Sequence, residues 1–228
     1  MVNLINQFKE TAKHLNLAIL GALLFLLSLW LQKVLMTALG HRVTLAFFSI
    51  TSFCVYWFWF NQKPNHAPRR IHLIGKIAGL YALILAIGYT LGYFGLSEEL
   101  IMAPTSGLGL IVLVLMEEIC FRGLLIRLEH FNKLPQFILP ALIFSLVHFI
   151  DTDFHFGMAL QRFVGALLLF SLCTRGNISN AILVHFIFNA GTSILTLSEK
   201  DHADLYFIAS TTFVNLYLIY TLKKGPYD

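Results

Sequence analysis

The chain has 228 residues, of which 57% are hydrophobic and only 12% are charged, and its mean hydropathy is +0.74. Because so few polar side chains could not cover a soluble globule of this size, the composition predicts an integral membrane protein. The net charge of +4 is explained by basic loops beside anionic lipid, and no sequence feature indicates a nucleic-acid partner.

Eight stretches of about 20 apolar residues can be placed along the chain, each long enough to cross roughly 30 Å of hydrocarbon as a helix. The runs are continuous and do not alternate, which favours helices over a membrane barrel. We therefore predict an all-α, polytopic protein with about eight transmembrane helices in a single integral membrane domain over residues 1–228. The windows are 15–35, 43–61, 73–96, 106–128, 135–151, 157–174, 178–197 and 203–222.

The distribution of Lys and Arg predicts the orientation of these helices. If the N-terminus is cytoplasmic, most basic residues fall in inside loops, as the positive-inside rule requires. Both termini are then cytoplasmic, and the expected location is a cell membrane, the plasma membrane if the protein is bacterial. The inside set is Lys9, Lys13, Lys63, Arg69, Arg70, Lys76, Arg127, Lys133, Arg175, Lys223 and Lys224; the outside set is Lys33, Arg42 and Lys200; Arg122 and Arg162 lie within spans.

The fourth window contains three charged residues, Glu117, Glu118 and Arg122. A charge near the bilayer centre costs about 2.5 to 3.5 kcal/mol on the insertion scale, so these side chains must face protein or water. Residues four apart share a helix face, so Glu118 and Arg122 can pair, whereas Glu117 is turned about 100° from its neighbour. We expect Glu118 to be an orienting partner and Glu117 to be a general base.

The fifth and seventh windows carry further polar pairs at the same spacing. Phe144 shares a face with His148, and His185 shares one with Asn189. Peptide hydrolysis needs a base to activate water and donors for the oxyanion, and these residues supply both. Straight helices would separate Glu117 and His148 in depth by about 10 Å. We nevertheless predict that the fold brings the Glu117 carboxylate and the His148 ring within reach of one water.

These residues resemble the three motifs of a known family. Glu117, Glu118 and Arg122 are similar to its E-E-x-x-x-R motif, Phe144 and His148 to F-x-x-x-H, and His185 and Asn189 to H-x-x-x-N. The ordered set is typical of the CPBP intramembrane proteases, which include the type II CAAX prenyl endopeptidases and the Abi proteins that process bacteriocins or confer immunity to them. The resemblance covers a core of about 106–197.

The resemblance implies a glutamate-type intramembrane endopeptidase. In it Glu117 and His148 activate water, His185 and Asn189 stabilise the oxyanion, and the remaining pair of the first motif supports the site. No cofactor is required by this mechanism, but zinc held by Glu117, His148 and His185 stays open. The implied partners are membrane lipid and a membrane-associated peptide or protein; the oligomeric state is left open.

Other functions remain as alternatives. The charged residues could form an ion network that only fixes helix packing, in a non-catalytic immunity or scaffolding protein. They could also relay protons in a transporter, through Glu117, Glu118, His148 and His185. Ser145 could imitate a Ser-His pair with His148, although a helical serine lacks the exposed turn of serine proteases. No H-E-x-x-H, G-x-S-G or G-x-G-D motif occurs.

Arg162 lies close to the outer end of the sixth window, next to Gln161. A long basic side chain at this position most simply extends its charged end to the membrane surface. We therefore predict no role for Arg162 in the site.

Overall fold

The computed structural model describes residues 2–60, 71–96, 104–125, 134–148, 156–173, 178–199 and 202–224. These parts of the chain are almost entirely helical, as the sequence predicts. The helices are α1 (Val2–Leu39), α2 (His41–Phe60), α3 (Ile71–Thr90), α4 (Pro104–Glu118), α5 (Leu134–Val147), α6 (Phe156–Leu172), α7 (Ser179–Ser193) and α8 (Ala203–Lys224), and the strands are β1 (Phe94–Leu96) and β2 (Leu195–Leu197).

Each predicted window overlaps one of these helices, but the lengths of the helices differ. Within the described chain, three helical stretches are long and apolar enough to cross a membrane, namely Thr11–Leu39, Leu73–Thr90 and Ala203–Lys223. Helices α4 and α7 have 15 residues each, which at 1.5 Å per residue is about 22 Å and less than the hydrocarbon thickness. The polar residues of the three motifs thus lie outside the three candidate spans.

The expectation of an all-α protein needs one correction. The third and seventh windows end as two short strands that pair antiparallel, with Gly95 opposite Thr196. The chain leaves α3 through Gly92, whose φ of +75° suits glycine. A short apolar run does not distinguish a helix end from a strand, so hydrophobicity alone predicted the windows as uninterrupted helices.

The smallest of the three apolar clusters among the described residues joins α2 to α4, and the two larger ones join the remaining helices. One joins α3, α6, α7 and α8, and its fully buried members include Ile77, Leu168 and Leu218. The other joins α1, α5, α6 and the segment after α4, around Phe121 and Phe170. Many large apolar side chains instead point outward, including Trp30 and Phe213 at 61% and 72% exposure. An apolar exterior of this extent is what a lipid environment favours.

Helix α4 changes its winding immediately after the two glutamates. Residues Ile119–Gly123 form a π-helical turn in which Phe121, Arg122 and Gly123 are buried. Helix α1 passes so close that a Cβ at Gly21 would lie 2.1 Å from the carbonyl oxygen of Cys120. Such widened turns occur frequently at functional sites, and this one positions Arg122 in the protein interior.

Candidate active site

The first motif forms a buried ion pair that also holds a histidine. Arg122 donates from Nη1 to Glu118 Oε1 at 2.5 Å, and His185 donates from Nδ1 to the same oxygen at 2.6 Å. Glu118 and Arg122 are both 0% exposed. The carboxylate therefore fixes the orientation of the His185 ring, and the guanidinium compensates the charge of the carboxylate.

Arg122 is accommodated in the interior by two aromatic rings. Its guanidinium carbon lies 4.8 Å from the ring centroid of Phe144 and 4.9 Å from that of Phe170. Cation–π contacts of this kind gain strength when the cation is desolvated. They cover a group whose Nε and Nη2 have no hydrogen-bond partner among the described residues. Phe144 thus contacts the Arg122 guanidinium. Phe170 does the same, although no sequence motif predicts this contact.

Glu117 points away from this pair and towards the two histidines. Its Oε1 lies 3.9 Å from His148 Nε2, and its Oε2 lies 3.5 Å from His185 Nε2. His148 donates from Nδ1 to the carbonyl oxygen of Phe144 at 2.7 Å, which directs Nε2 at the carboxylate. The longer gap exceeds a hydrogen bond, and a water about 2.8 Å from each atom can bridge it.

The depth difference that straight helices would impose does not occur. Regular α4 ends at Glu118, and α5 ends at Val147, immediately before His148. Glu117 and His148 therefore both lie at the C-terminal ends of their helices, and the imidazole stands 4.7 Å from the Phe144 ring one turn earlier. The ends of the two helices meet, although their midpoints need not lie at the same level.

A cavity of about 640 Å³ opens in front of these groups. Glu117, His148, His185 and Asn189 line it, whereas Glu118 and Arg122 do not and lie behind its wall. The structure thus brings all six predicted residues together but divides them into four that reach the cavity and two that support them. Most of the remaining wall is apolar, including Phe25, Leu29, Leu113, Val147, Met158, Leu169, Val184, Phe188 and Phe207.

Five polar cavity residues lie outside the three motifs. Gln161 and Arg162 from α6, Tyr81 from α3, Thr192 from α7 and Asn215 from α8 line the same space. Arg162, for which an extension to the membrane surface is predicted, thus also lines the cavity. The sequence signal was present, because polar side chains inside an apolar window rarely face lipid. It does not reveal which residues from distant windows share one cavity.

The serine alternative finds no support in the geometry. The Ser145 hydroxyl donates to the carbonyl oxygen of Ala159 at 2.6 Å and is not part of the cavity lining. Ser145 therefore packs α5 against α6.

The zinc alternative can be compared with the arrangement of donors. Across the described parts of the chain, no group of three or more His, Cys, Asp or Glu side chains could hold a metal ion. Zinc requires nitrogen and oxygen ligands to converge at about 2.0 to 2.2 Å from one point. Because the three candidate ligands do not form such a set, no step below is routed through a metal.

Fold and site together define a helical protein with an apolar exterior and an acid–histidine site at an internal cavity. Residues 99–191 are similar to the family model described as "Type II CAAX prenyl endopeptidase Rce1-like". This region includes every residue of the three motifs, so the predicted family resemblance is confirmed. No curated protein matches the chain, and no solved structure does. The family so described is one of prenyl endopeptidases.

Proposed function

We propose that the protein is an intramembrane endopeptidase that hydrolyses a peptide bond of a membrane-associated protein or peptide, with CAAX-type substrates as the first class to test. The observation that carries this proposal is the position of Glu117. Its two carboxylate oxygens face the Nε2 atoms of His148 and His185 at 3.9 and 3.5 Å in a cavity. An ion network that only fixes helix packing does not require a carboxylate that faces a cavity.

In the first step Glu117 takes a proton from a water held between its Oε1 and His148 Nε2. Since Nδ1 of His148 already donates to the Phe144 carbonyl, its Nε2 presents a lone pair that accepts the second water proton. The oxygen of the water is thereby aimed at the cavity. Its attack forms a C–O bond to the carbonyl carbon of the substrate, and the proton resides on Glu117.

The tetrahedral intermediate then needs donors for its oxyanion. Asn189 lines the cavity one turn after His185, and its amide can donate. His185 can donate from Nε2 only as the imidazolium, because its Nδ1 already donates to Glu118. Two such donors aimed at the developing charge are the usual arrangement in acyl transfer. Collapse breaks the C–N bond, and the proton on Glu117 passes to the leaving amine.

In this proposal Glu118 and Arg122 act on the reaction through His185. The carboxylate sets the ring orientation, and the guanidinium holds the carboxylate in place through a hydrogen bond. Partners of this kind typically affect activity by 10- to 100-fold in metal sites, and a similar order is expected here.

We further propose that all eight windows cross or enter the membrane and that both termini are cytoplasmic. Exposed apolar side chains on α1, α2, α5 and α8 support contact with lipid along several helices. The distribution of Lys and Arg supports the orientation. This places the protein in a cell membrane as a multi-pass protein.

The test is cleavage of an internally quenched, C-terminally prenylated CAAX peptide by purified protein in nanodiscs. Glu117→Gln should reduce kcat by at least about 10³-fold, since the base is lost while the shape is kept. Glu199→Gln is the matched control, because Glu199 is exposed and does not line the cavity. Equal rates for the Glu117→Gln and wild-type proteins would refute the mechanism.

Two rivals predict different results in the same preparation. A proton-coupled transporter would show proton flux in proteoliposomes that Glu117→Gln abolishes, without cleavage. An immunity or scaffolding protein would keep its biological effect with Gln at position 117.

Zinc dependence is tested separately. If water is activated as proposed, 1,10-phenanthroline should leave the cleavage rate within about twofold, because no step passes through a metal. If the chelator abolishes cleavage and added zinc restores it, the metal-free mechanism is wrong.

A further inference from the structure

The cavity has a second polar wall, distant in sequence from the three motifs. Tyr81 donates its hydroxyl to Asn215 Oδ1 at 2.6 Å, and Gln161 donates from Nε2 to Thr211 Oγ1 at 3.1 Å. Gln161, Asn215 and Tyr81 all line the cavity and are only 6%, 3% and 4% exposed. Helices α3, α6 and α8 thus each contribute a buried polar side chain to the same cavity wall.

The side-chain amides of Asn215 and Gln161 each use only one of their two polar atoms in a hydrogen bond. Asn215 Nδ2 and Gln161 Oε1 have no hydrogen-bond partner among the residues that the structure describes. Neither atom is among the fully enclosed polar atoms that lack a partner, so both reach the open cavity, where a ligand can pair with them. The held ends fix the orientation of the free ones.

Gly165 provides access to this wall. It lies one turn after Gln161 on α6, and a Cβ there would stand 3.5 Å from Asn215 Nδ2, an ordinary contact distance. Packing therefore leaves room for alanine, which also forms helices better than glycine. An interior helical glycine at such a position is typical of a place that a ligand or another backbone approaches closely.

We propose that Gln161, Gly165 and Asn215 form a subsite that binds the backbone of the substrate peptide next to the bond that is cleaved. Asn215 Nδ2 donates to a peptide carbonyl, and Gln161 Oε1 accepts from a peptide N–H. One donor and one acceptor on adjacent helices match the two groups of a peptide unit in an extended segment. The subsite recognises any side-chain sequence and leaves selection to the apolar wall.

This inference rests on the proposed function, so its test measures binding and not turnover. The protein is Glu117→Gln in nanodiscs, and the probe is a fluorescein-labelled, prenylated CAAX peptide followed by anisotropy. Adding Asn215→Leu should weaken binding about tenfold, as expected for the loss of a buried hydrogen bond. Asn180→Leu is the matched control, since Asn180 is equally buried but does not line the cavity. Equal binding by the Asn215→Leu and parent proteins overturns the subsite.

A second variant removes access without removing any hydrogen bond, in case Asn215→Leu fails to fold. Gly165→Ala should weaken binding several-fold by covering Nδ2. Gly109→Ala, where a Cβ would meet only Leu45 at 3.9 Å outside the cavity lining, should not change it. Unchanged binding by a folded Gly165→Ala protein contradicts the proposal.

Recognition of the peptide backbone can be tested by removing single N–H groups from the substrate peptide. Peptides in which one amide at a time is replaced by an ester lack a single N–H each. One ester should lose about tenfold in affinity for the parent protein, and the same ester should lose nothing further with Gln161→Leu. Independent losses overturn the assignment of Gln161. A protein that binds as described but never cleaves would refute only the proposed function.

Discussion

At the scale of single residues, Arg122 shows how a full charge is made tolerable in an apolar interior. It makes one short bond to Glu118, and two phenyl rings cover the guanidinium plane at 4.8 and 4.9 Å. The pair is useful only if both members remain, since a lone buried carboxylate is far more costly than a buried pair. Arg122 is therefore the residue on which the stability of the site depends most.

Arg122→Met should lower the free energy of unfolding by about 3 kcal/mol or more, because it leaves Glu118 buried without a counter-charge. Thermal unfolding in detergent measures this change. Lys76→Met is the control, since Lys76 is exposed although it also lies near an aromatic ring, that of Tyr217, at 5.5 Å. That substitution should cost less than about 0.5 kcal/mol. Similar losses for the two variants would show that burial of the ion pair is not what matters.

Glu118→Gln addresses the orienting role separately from the chemistry. Glutamine keeps the size of the side chain but removes the charge that His185 and Arg122 both contact. We expect kcat to fall by about 10- to 100-fold with KM nearly unchanged, because the group acts through the His185 ring and does not reach the cavity. Steady-state kinetics beside Glu117→Gln provide the comparison. A KM effect alone would place Glu118 in substrate binding instead.

At the scale of elements, the contact of α1 with the π-helical turn determines how Arg122 enters the core. Gly21 is the point of contact, and a Cβ there would lie 2.1 Å from a backbone oxygen. Backbone atoms cannot move aside as the end of a flexible side chain can, so the helix or the turn would have to shift. Helix α1, remote from the three motifs, is thereby part of the support for the site.

Gly21→Ala should destabilise the fold by about 1 to 3 kcal/mol, the usual cost of overpacking, and should also reduce activity by displacing the turn. Gly75→Ala on α3 is the matched control, because nothing lies within 4 Å of its added Cβ. It should be neutral or slightly stabilising, since alanine favours the helix. Unfolding midpoints of the two variants distinguish steric clash from a general effect of alanine.

Sequence reasoning reached the helices and the pairing of Glu118 with Arg122, because apolar windows and four-residue spacing are local properties. It did not reach the π-helical turn or the pairing of β1 with β2, which depend on the packing of distant segments. Phe170 and Asn215 were missed for the same reason. Their proximity to the site is set by tertiary contacts of α6 and α8, and no short motif records it.

At the scale of the whole molecule, the three motifs lie on regular helices that are shorter than the three candidate spans. Helices α1, α3 and α8 contain the three long candidate spans of the described chain, whereas α4, α5 and α7 bring Glu117, His148 and His185 to one cavity. A short helix within a thick apolar shell can end inside the membrane, where its last turn is free to face water. The difference in helix length therefore supports the proposal of a hydrolytic site below the bilayer surface.

The orientation of the molecule in the membrane depends on the number of crossings and on the distribution of basic residues. If all eight helices cross, both termini lie on one side, and the excess of Lys and Arg in alternate loops predicts that this side is cytoplasmic. Green fluorescent protein fluoresces poorly when it is exported unfolded across a membrane. A fusion at either terminus should therefore be fluorescent, because both termini are expected to stay in the cytoplasm. Alkaline phosphatase inserted after Gly40, the turn between α1 and α2 where φ is +81°, should be active because that turn is on the outside. An inactive Gly40 insertion would reverse the first helix, and termini on opposite sides would require an odd number of crossings.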